Sequence, residues 1–85
     1  MRVRLLYFAR LREALGTDAE EATLPAEVKD VAALTAWLRA RGGAWAAELA
    51  PGRAFRVAVN QDLANALTYL GDGAGVAIFP PVTGG

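Results

Sequence analysis

The chain has no cysteine and no histidine among its 85 residues. Without thiols it can hold no disulfide framework and no thiolate metal site. Without imidazole, most zinc chemistry and the commonest general base are closed to it. Lysine occurs once, at Lys29, against eight arginines. With alanine also abundant, that bias reads first as a GC-rich coding sequence and second as adaptation to heat. Neither sign of charge is in surplus, because nine basic and nine acidic residues give a formal net charge of zero. Non-specific duplex binding needs excess Lys and Arg, so no nucleic-acid partner is expected. Long hydrophobic runs are missing too. The opening run over residues 5–9 is short and is closed by Arg10 and Arg12. Neither a signal peptide nor a membrane partner is therefore expected, and a cytoplasmic location is the default.

What remains is enough for one small domain. Apolar residues make up 54% of the chain, which is ample for a core and argues against disorder. Residues 2–8 alternate as a strand does, with Val3, Leu5 and Tyr7 on one face and Arg2, Arg4, Leu6 and Phe8 on the other. Burial explains the first face and leaves Leu6 and Phe8 on the second without a reason. Residues 9–15 predict a short helix ended by Gly16, and residues 20–24 a second strand that stops at Pro25 and pairs antiparallel with the first. Asp30 is placed to cap a helix running to about Arg41, with Val31, Leu34 and Leu38 at helical spacing and Gly42-Gly43 as its stop. Residues 44–50 predict another helical turn or two, with Trp45 as a core plug. A third strand is expected over 54–59 with Phe55, Val57 and Val59 inward. A turn at Asn60-Gln61-Asp62, a minor strand around 67–70, a turn at 71–73 and a last strand at 76–79 follow, ended by Pro80-Pro81. A sheet packed on one principal helix satisfies the need for two layers, so the expected class is an α+β roll.

Internal chemistry is sparse. Gly71, Gly73 and Gly75 precede a strand rather than a helix, which makes them a turn and not a phosphate cradle. Glu20 and Glu21 alternate onto opposite strand faces and are expected to be solvated. Glu13 with Arg10 or Arg12 is expected to be ordinary helix-surface charge. The sequence thus predicts no active site of its own, no bound cofactor and no metal.

The C-terminus is different. Residues 1–79 form the expected domain, and residues 80–85 an extended tail: Pro80, Pro81, Val82, Thr83, Gly84 and Gly85. Two prolines favour a polyproline-like exit that projects the tail. Two terminal glycines lack Cβ atoms and fit a channel too narrow for side chains. From Pro81 to Gly85 the chain reaches at most ~13–14 Å, at ~3.3–3.6 Å per residue. A free carboxylate with a pKa of ~3.3–3.7 is ionised near neutrality and is a poor electrophile. It must be activated before it reacts, most economically as an acyl adenylate made by a partner that binds ATP. A sulfur nucleophile then leaves a thiocarboxylate.

The segment Phe79-Pro80-Pro81-Val82-Thr83-Gly84-Gly85, with Leu6-Tyr7-Phe8-Ala9, Leu11-Arg12-Glu13, Gly16-Thr17-Asp18 and Val59-Asn60-Gln61, resembles the family of molybdopterin synthase small subunits, which are ubiquitin-like sulfur carriers. The resemblance spans nearly the whole chain in order. It implies a β-grasp fold and a reaction cycle. A ubiquitin-activating-type adenylyltransferase would adenylate Gly85 with ATP, and a sulfurtransferase would supply sulfur. The thiocarboxylate would then act in a heterotetramer with the large synthase subunit, passing sulfur to cyclic pyranopterin monophosphate. It also implies partner-facing apolar positions at Phe8, Leu63 and Phe79. The acidic pair usual in the family before the last strand is replaced here by Ala74-Gly75.

Overall fold

The structure is a computed structural model that describes residues 1–81. Chain order is β1 (Arg2–Tyr7), α1 (Ala9–Leu15), β2 (Ala19–Thr23), α2 (Val31–Arg39), α3 (Gly43–Glu48), β3 (Arg56–Val59), β4 (Asp62–Ala64) and β5 (Gly75–Phe79). The strands form one sheet in the order β2-β1-β5-β3-β4. β1 and β5 run parallel side by side at its centre, and every other pairing is antiparallel. This is the expected α+β roll of β-grasp type, a mixed sheet with helices on one face.

Alternation in the strands decides which face that is. Val3, Leu5 and Tyr7 of β1, Val57 and Val59 of β3, and Val76 and Ile78 of β5 are all buried. They meet Val31, Leu34 and Leu38 of α2, with Leu11 of α1 and Leu49 after α3 closing the sides. Each fully buried aliphatic side chain contributes about 1.5–3 kcal/mol relative to exposure, so this layer is the main source of stability. Asp30 caps α2 as expected, its Oδ1 accepting from the Ala33 N–H at 2.8 Å. The helix stops at Arg39, two residues before the expected end, and frees Arg41 for a role described below.

The first crossover forms as the sequence suggested. α1 matches its expected bounds, and Gly16 (φ 75°) ends it by donating its N–H to the Arg12 carbonyl at 3.1 Å. The second half departs from expectation. Asn60 (φ 50°) and Gln61 (φ 72°) both take left-handed conformations, which makes them the two central residues of a tight hairpin turn. The minor strand is therefore residues 62–64, paired with β3, and not 67–70. Residues 66 and 68 instead supply carbonyls to the α2 N-terminus: Val31 N–H donates to Thr68 at 3.1 Å and Ala32 N–H to Ala66 at 3.0 Å. Those are donors the helix cannot satisfy internally. The only ladder contact of that segment among the described residues is a single bridge between Asp30 and Tyr69.

Candidate functional site

With the helices on one face, no element among the described residues covers the other face of the sheet, and the strand registers assemble it into three rows. Leu6 lies opposite both Ala19 and Ala77, Ala77 opposite Ala58, and Ala58 opposite Leu63. That row is apolar from one edge of the sheet to the other. Toward the C-terminal end of β5, Phe79 pairs with Arg56, and the Phe8 N–H donates to the Ile78 carbonyl at 3.3 Å. Phe8 and Phe79 thus flank the point at which the tail leaves the sheet. On the other side the row is polar: Glu21 pairs with Arg4, and Arg4 with Gly75. Asn60 completes it, its Oδ1 accepting from the Gly75 N–H at 2.9 Å.

Small side chains in the middle row, with larger ones beside them, make a trough of about 490 Å³ lined by Leu6, Phe8, Ala58, Asn60, Gln61, Gly75 and Ala77. Phe8 is 45% exposed and Leu63 69%, while Phe79 and Leu6 are half-buried. Contiguous exposed apolar surface of this kind makes the face a candidate interaction site. It also supplies the missing reason for Leu6 and Phe8. Ala9, in a left-handed conformation (φ 53°), turns the chain sharply from β1 into α1.

The expected partner-facing residues are therefore brought together on one face. Pro80 and Pro81 follow β5 directly and are half-buried. Val82, Thr83, Gly84 and Gly85 lie outside the described residues. Leu67 and Tyr69 are exposed as well, at 80% and 75%. The sequence predicts a strand there, and their exposure follows from the use of that segment as a helix cap. At the replaced acidic pair, Ala74 is buried and Gly75 sits against Asn60.

Away from this face, Tyr7, Glu20 and Arg41 are paired with one another. Glu20, expected to be solvated, accepts two hydrogen bonds from the Arg41 guanidinium, both 2.9 Å, and one from the Tyr7 hydroxyl at 2.9 Å. The Arg41 guanidinium also lies over the rings of Trp37 (5.0 Å) and Trp45 (4.4 Å). Trp45, expected as a core plug, is half-buried and packs edge-on against Tyr7. The Arg41 hydrogen bonds hold the Glu20 carboxyl below its usual range, against the opposing effect of burial, and the Tyr7 bond adds to them. Burial, followed by the bond to Glu20, pushes the Tyr7 phenol well above its normal value, so it remains a proton donor. Arg10 pairs with Glu48 of α3 at 3.3 Å and not with Glu13. A second cleft, about 540 Å³ between α2 and the β3–β4 hairpin, contains Thr35 and Arg39. Their polar groups are engaged: Thr35 Oγ1 donates to the Ala32 carbonyl and Arg39 Nε to the Leu49 carbonyl. Among the described residues no set of three acidic side chains could hold a metal ion, and no helix is long and apolar enough to cross a membrane.

The chemistry thus converges on the tail and the bare sheet face beside its root. The model of the ThiS family matches residues 5–85. The chain belongs to the ThiS family. Among its relatives is the molybdopterin synthase sulfur carrier subunit of Escherichia coli, 43% identical over 83 residues, which cover 98% of this chain and 99% of that protein. A solved structure described as a putative molybdopterin converting factor, subunit 1, from Pyrococcus furiosus superposes with a TM-score of 0.80. It is 30% identical, with 96% of this chain and 99% of that one covered. The fold also matches a chain of the complex of subunits 1 and 2 of the molybdopterin-converting factor from Helicobacter pylori. That match has a TM-score of 0.69 at 24% identity and covers both chains in full. ThiS-family membership agrees with the β-grasp fold.

Proposed function

We propose that this chain is the sulfur-carrying small subunit of a molybdopterin synthase, and that its working group is the Gly85 carboxyl. The observation that carries this reading is the 43% identity to the Escherichia coli sulfur carrier subunit, which runs almost end to end. The chemistry of the chain supports it. Among the described residues the side chains offer no nucleophile–base pair, while a terminal carboxylate needs only activation by a partner. An adenylyltransferase would spend ATP to convert the carboxylate into an acyl adenylate, making the carbonyl carbon electrophilic. A persulfide on a sulfurtransferase would displace AMP to form an acyl disulfide, and a second thiol would cleave its S–S bond, leaving the thiocarboxylate and a disulfide. Pro80 to Gly84 would thread this group into the large subunit, where the sulfur is transferred to cyclic pyranopterin monophosphate. Phe8, Leu63 and Phe79 would dock on that subunit, within a heterotetramer. No cofactor need be held by the small subunit itself.

The discriminating experiment presents the thiocarboxylated chain, with its large subunit, to the pterin precursor. Formation of molybdopterin is the expected outcome. Sulfur transfer instead to a thiazole precursor, to transfer RNA or into cysteine, with none to the pterin, would reassign the chain to another sulfur-carrier pathway. Isopeptide adducts on other proteins that disappear when Gly85 is deleted would make it a protein modifier.

A further inference from the structure

The sheet face opposite the helices is apolar along its middle row, yet it is not neutral. Strand alternation gives it four charged residues: Arg2, Arg4, Glu21 and Arg56. Glu21 lies directly opposite Arg4 but accepts from Arg2 Nη2 at 2.9 Å, so one carboxylate faces two guanidiniums. On its other side Arg4 meets Gly75, which has no side chain to answer it, and Arg56 meets Phe79. Both arginines are exposed, and neither forms an ion pair among the described residues. Nine bases and nine acids give the chain no overall sign, so this local excess comes from placement. The acids are committed or directed elsewhere. Glu20 and Glu48 hold arginines on the helix side, and Asp30 and Asp72 accept backbone N–H groups. Asp62 pairs with Val59 and shares its helix-facing side, while Glu13, Asp18 and Glu27 lie in α1 and in loops. Arg4 stands two residues before Leu6 in β1, and Arg56 two before Ala58 in β3. Because β1 runs parallel to β5 and β3 antiparallel to it, the two charges fall on opposite sides of the apolar row.

Resting on the sulfur-carrier reading and its docking face, we propose that the large-subunit surface seated here is apolar at its centre and acidic at its rim. An apolar ridge fills the trough, and carboxylates stand against Arg4 and Arg56. The two parts of the contact do different work. The trough supplies burial but little direction, since apolar attraction is non-directional. Charges on opposite sides of it draw an oppositely charged surface in and fix its register, which acts mainly on the rate of encounter. The same charges disfavour a second copy of this chain as the occupant, because it presents the same uncompensated cations.

Stopped-flow association of the full chain with a fluorescently labelled large subunit tests this. Between about 10 mM and about 100 mM salt the screening length shrinks from about 30 Å to about 10 Å. Across that range the association rate of the unaltered chain should fall by about threefold or more, with little change in dissociation. The double variant Arg4→Gln/Arg56→Gln should associate about fivefold more slowly at the low salt and lose most of the salt dependence. Glutamine is chosen because a glutamate at position 4 would face Glu21 and could unsettle the sheet. Lys29→Glu lowers the net charge by the same amount in the exposed loop before α2, and should stay within about twofold of the unaltered chain. Equal unfolding midpoints confirm that the variants are folded. A rate that is flat or rises with salt, or a double variant no slower than Lys29→Glu, would overturn the proposal. Failure of the sulfur-carrier reading is seen separately, as binding that yields no molybdopterin from the thiocarboxylated chain and the pterin precursor.

Discussion

At the scale of single residues, Glu20 shows what charge alone hides. Alternation puts Glu20 and Glu21 on opposite faces, and Glu20, opposite Leu5 and in line with Ala22, lies on the helix-facing side, where a partner from a distant loop turns toward it. Arg41 reaches Glu20 because α2 ends early, and Trp37 and Trp45 hold the guanidinium in place. The consequence for pH follows from the depressed Glu20 value. A carboxyl that is more acidic in the folded chain than in the unfolded one contributes stability that is fully present above the unfolded value of ~4.3. That contribution is lost as pH falls through the lower folded value. Glu20→Gln should cost about 1–2 kcal/mol near neutrality, the range for charge-assisted hydrogen bonds reduced for partial exposure. It should also flatten the acid limb of the stability curve. Urea midpoints measured from pH 7 down to 3 check both; an unchanged acid limb would remove Glu20 from this role.

At the scale of elements, most of the fold was legible because its signals are local. Asp30 as a helix cap, Gly16 as a helix stop and the alternation in β1 each carry their own physics. The turn at Asn60-Gln61 was legible, but the strand that follows it was not: without the glycine that marks a two-residue hairpin, the sequence does not show that residues 62–64, rather than 67–70, pair with β3. Gln61 accepts a left-handed conformation that costs roughly 1–2 kcal/mol for an ordinary L-residue. Gln61→Gly should therefore raise stability, by about 0.5–1 kcal/mol once glycine's added chain entropy is subtracted. Asn60→Ala should lower it by about 1–2 kcal/mol, since the Gly75 N–H loses its acceptor. Thermal unfolding of the two variants gives both signs, and equal shifts in one direction would refute the hairpin argument.

At the scale of the molecule, the sheet divides the labour. One face builds the core on α2, and the other presents an apolar trough beside the root of the tail. The candidate face was half legible: Leu6 and Phe8 stand out in the sequence as apolar residues that burial leaves unexplained, whereas the Ala58–Ala77 floor emerges only from the strand registers. Because Leu63 is largely exposed and Phe8 about half exposed, Leu63→Ala should leave the unfolding midpoint nearly unchanged and Phe8→Ala should lower it only slightly. Each should weaken binding to the large subunit by about tenfold to a hundredfold, as truncation of central interface anchors typically does. Calorimetric titration of the two subunits measures this, and undiminished affinity in both variants would place the docking surface elsewhere.

The central claim, that the Gly85 carboxyl is the reacting group, is tested most directly by intact mass. The chain is incubated with ATP, an adenylyltransferase and a sulfur donor, and weighed. The account predicts a gain equal to replacing one oxygen by sulfur, confined to a C-terminal fragment and abolished when Gly85 is deleted. Sulfur found on any other residue, or gained equally by the chain lacking Gly85, would contradict it.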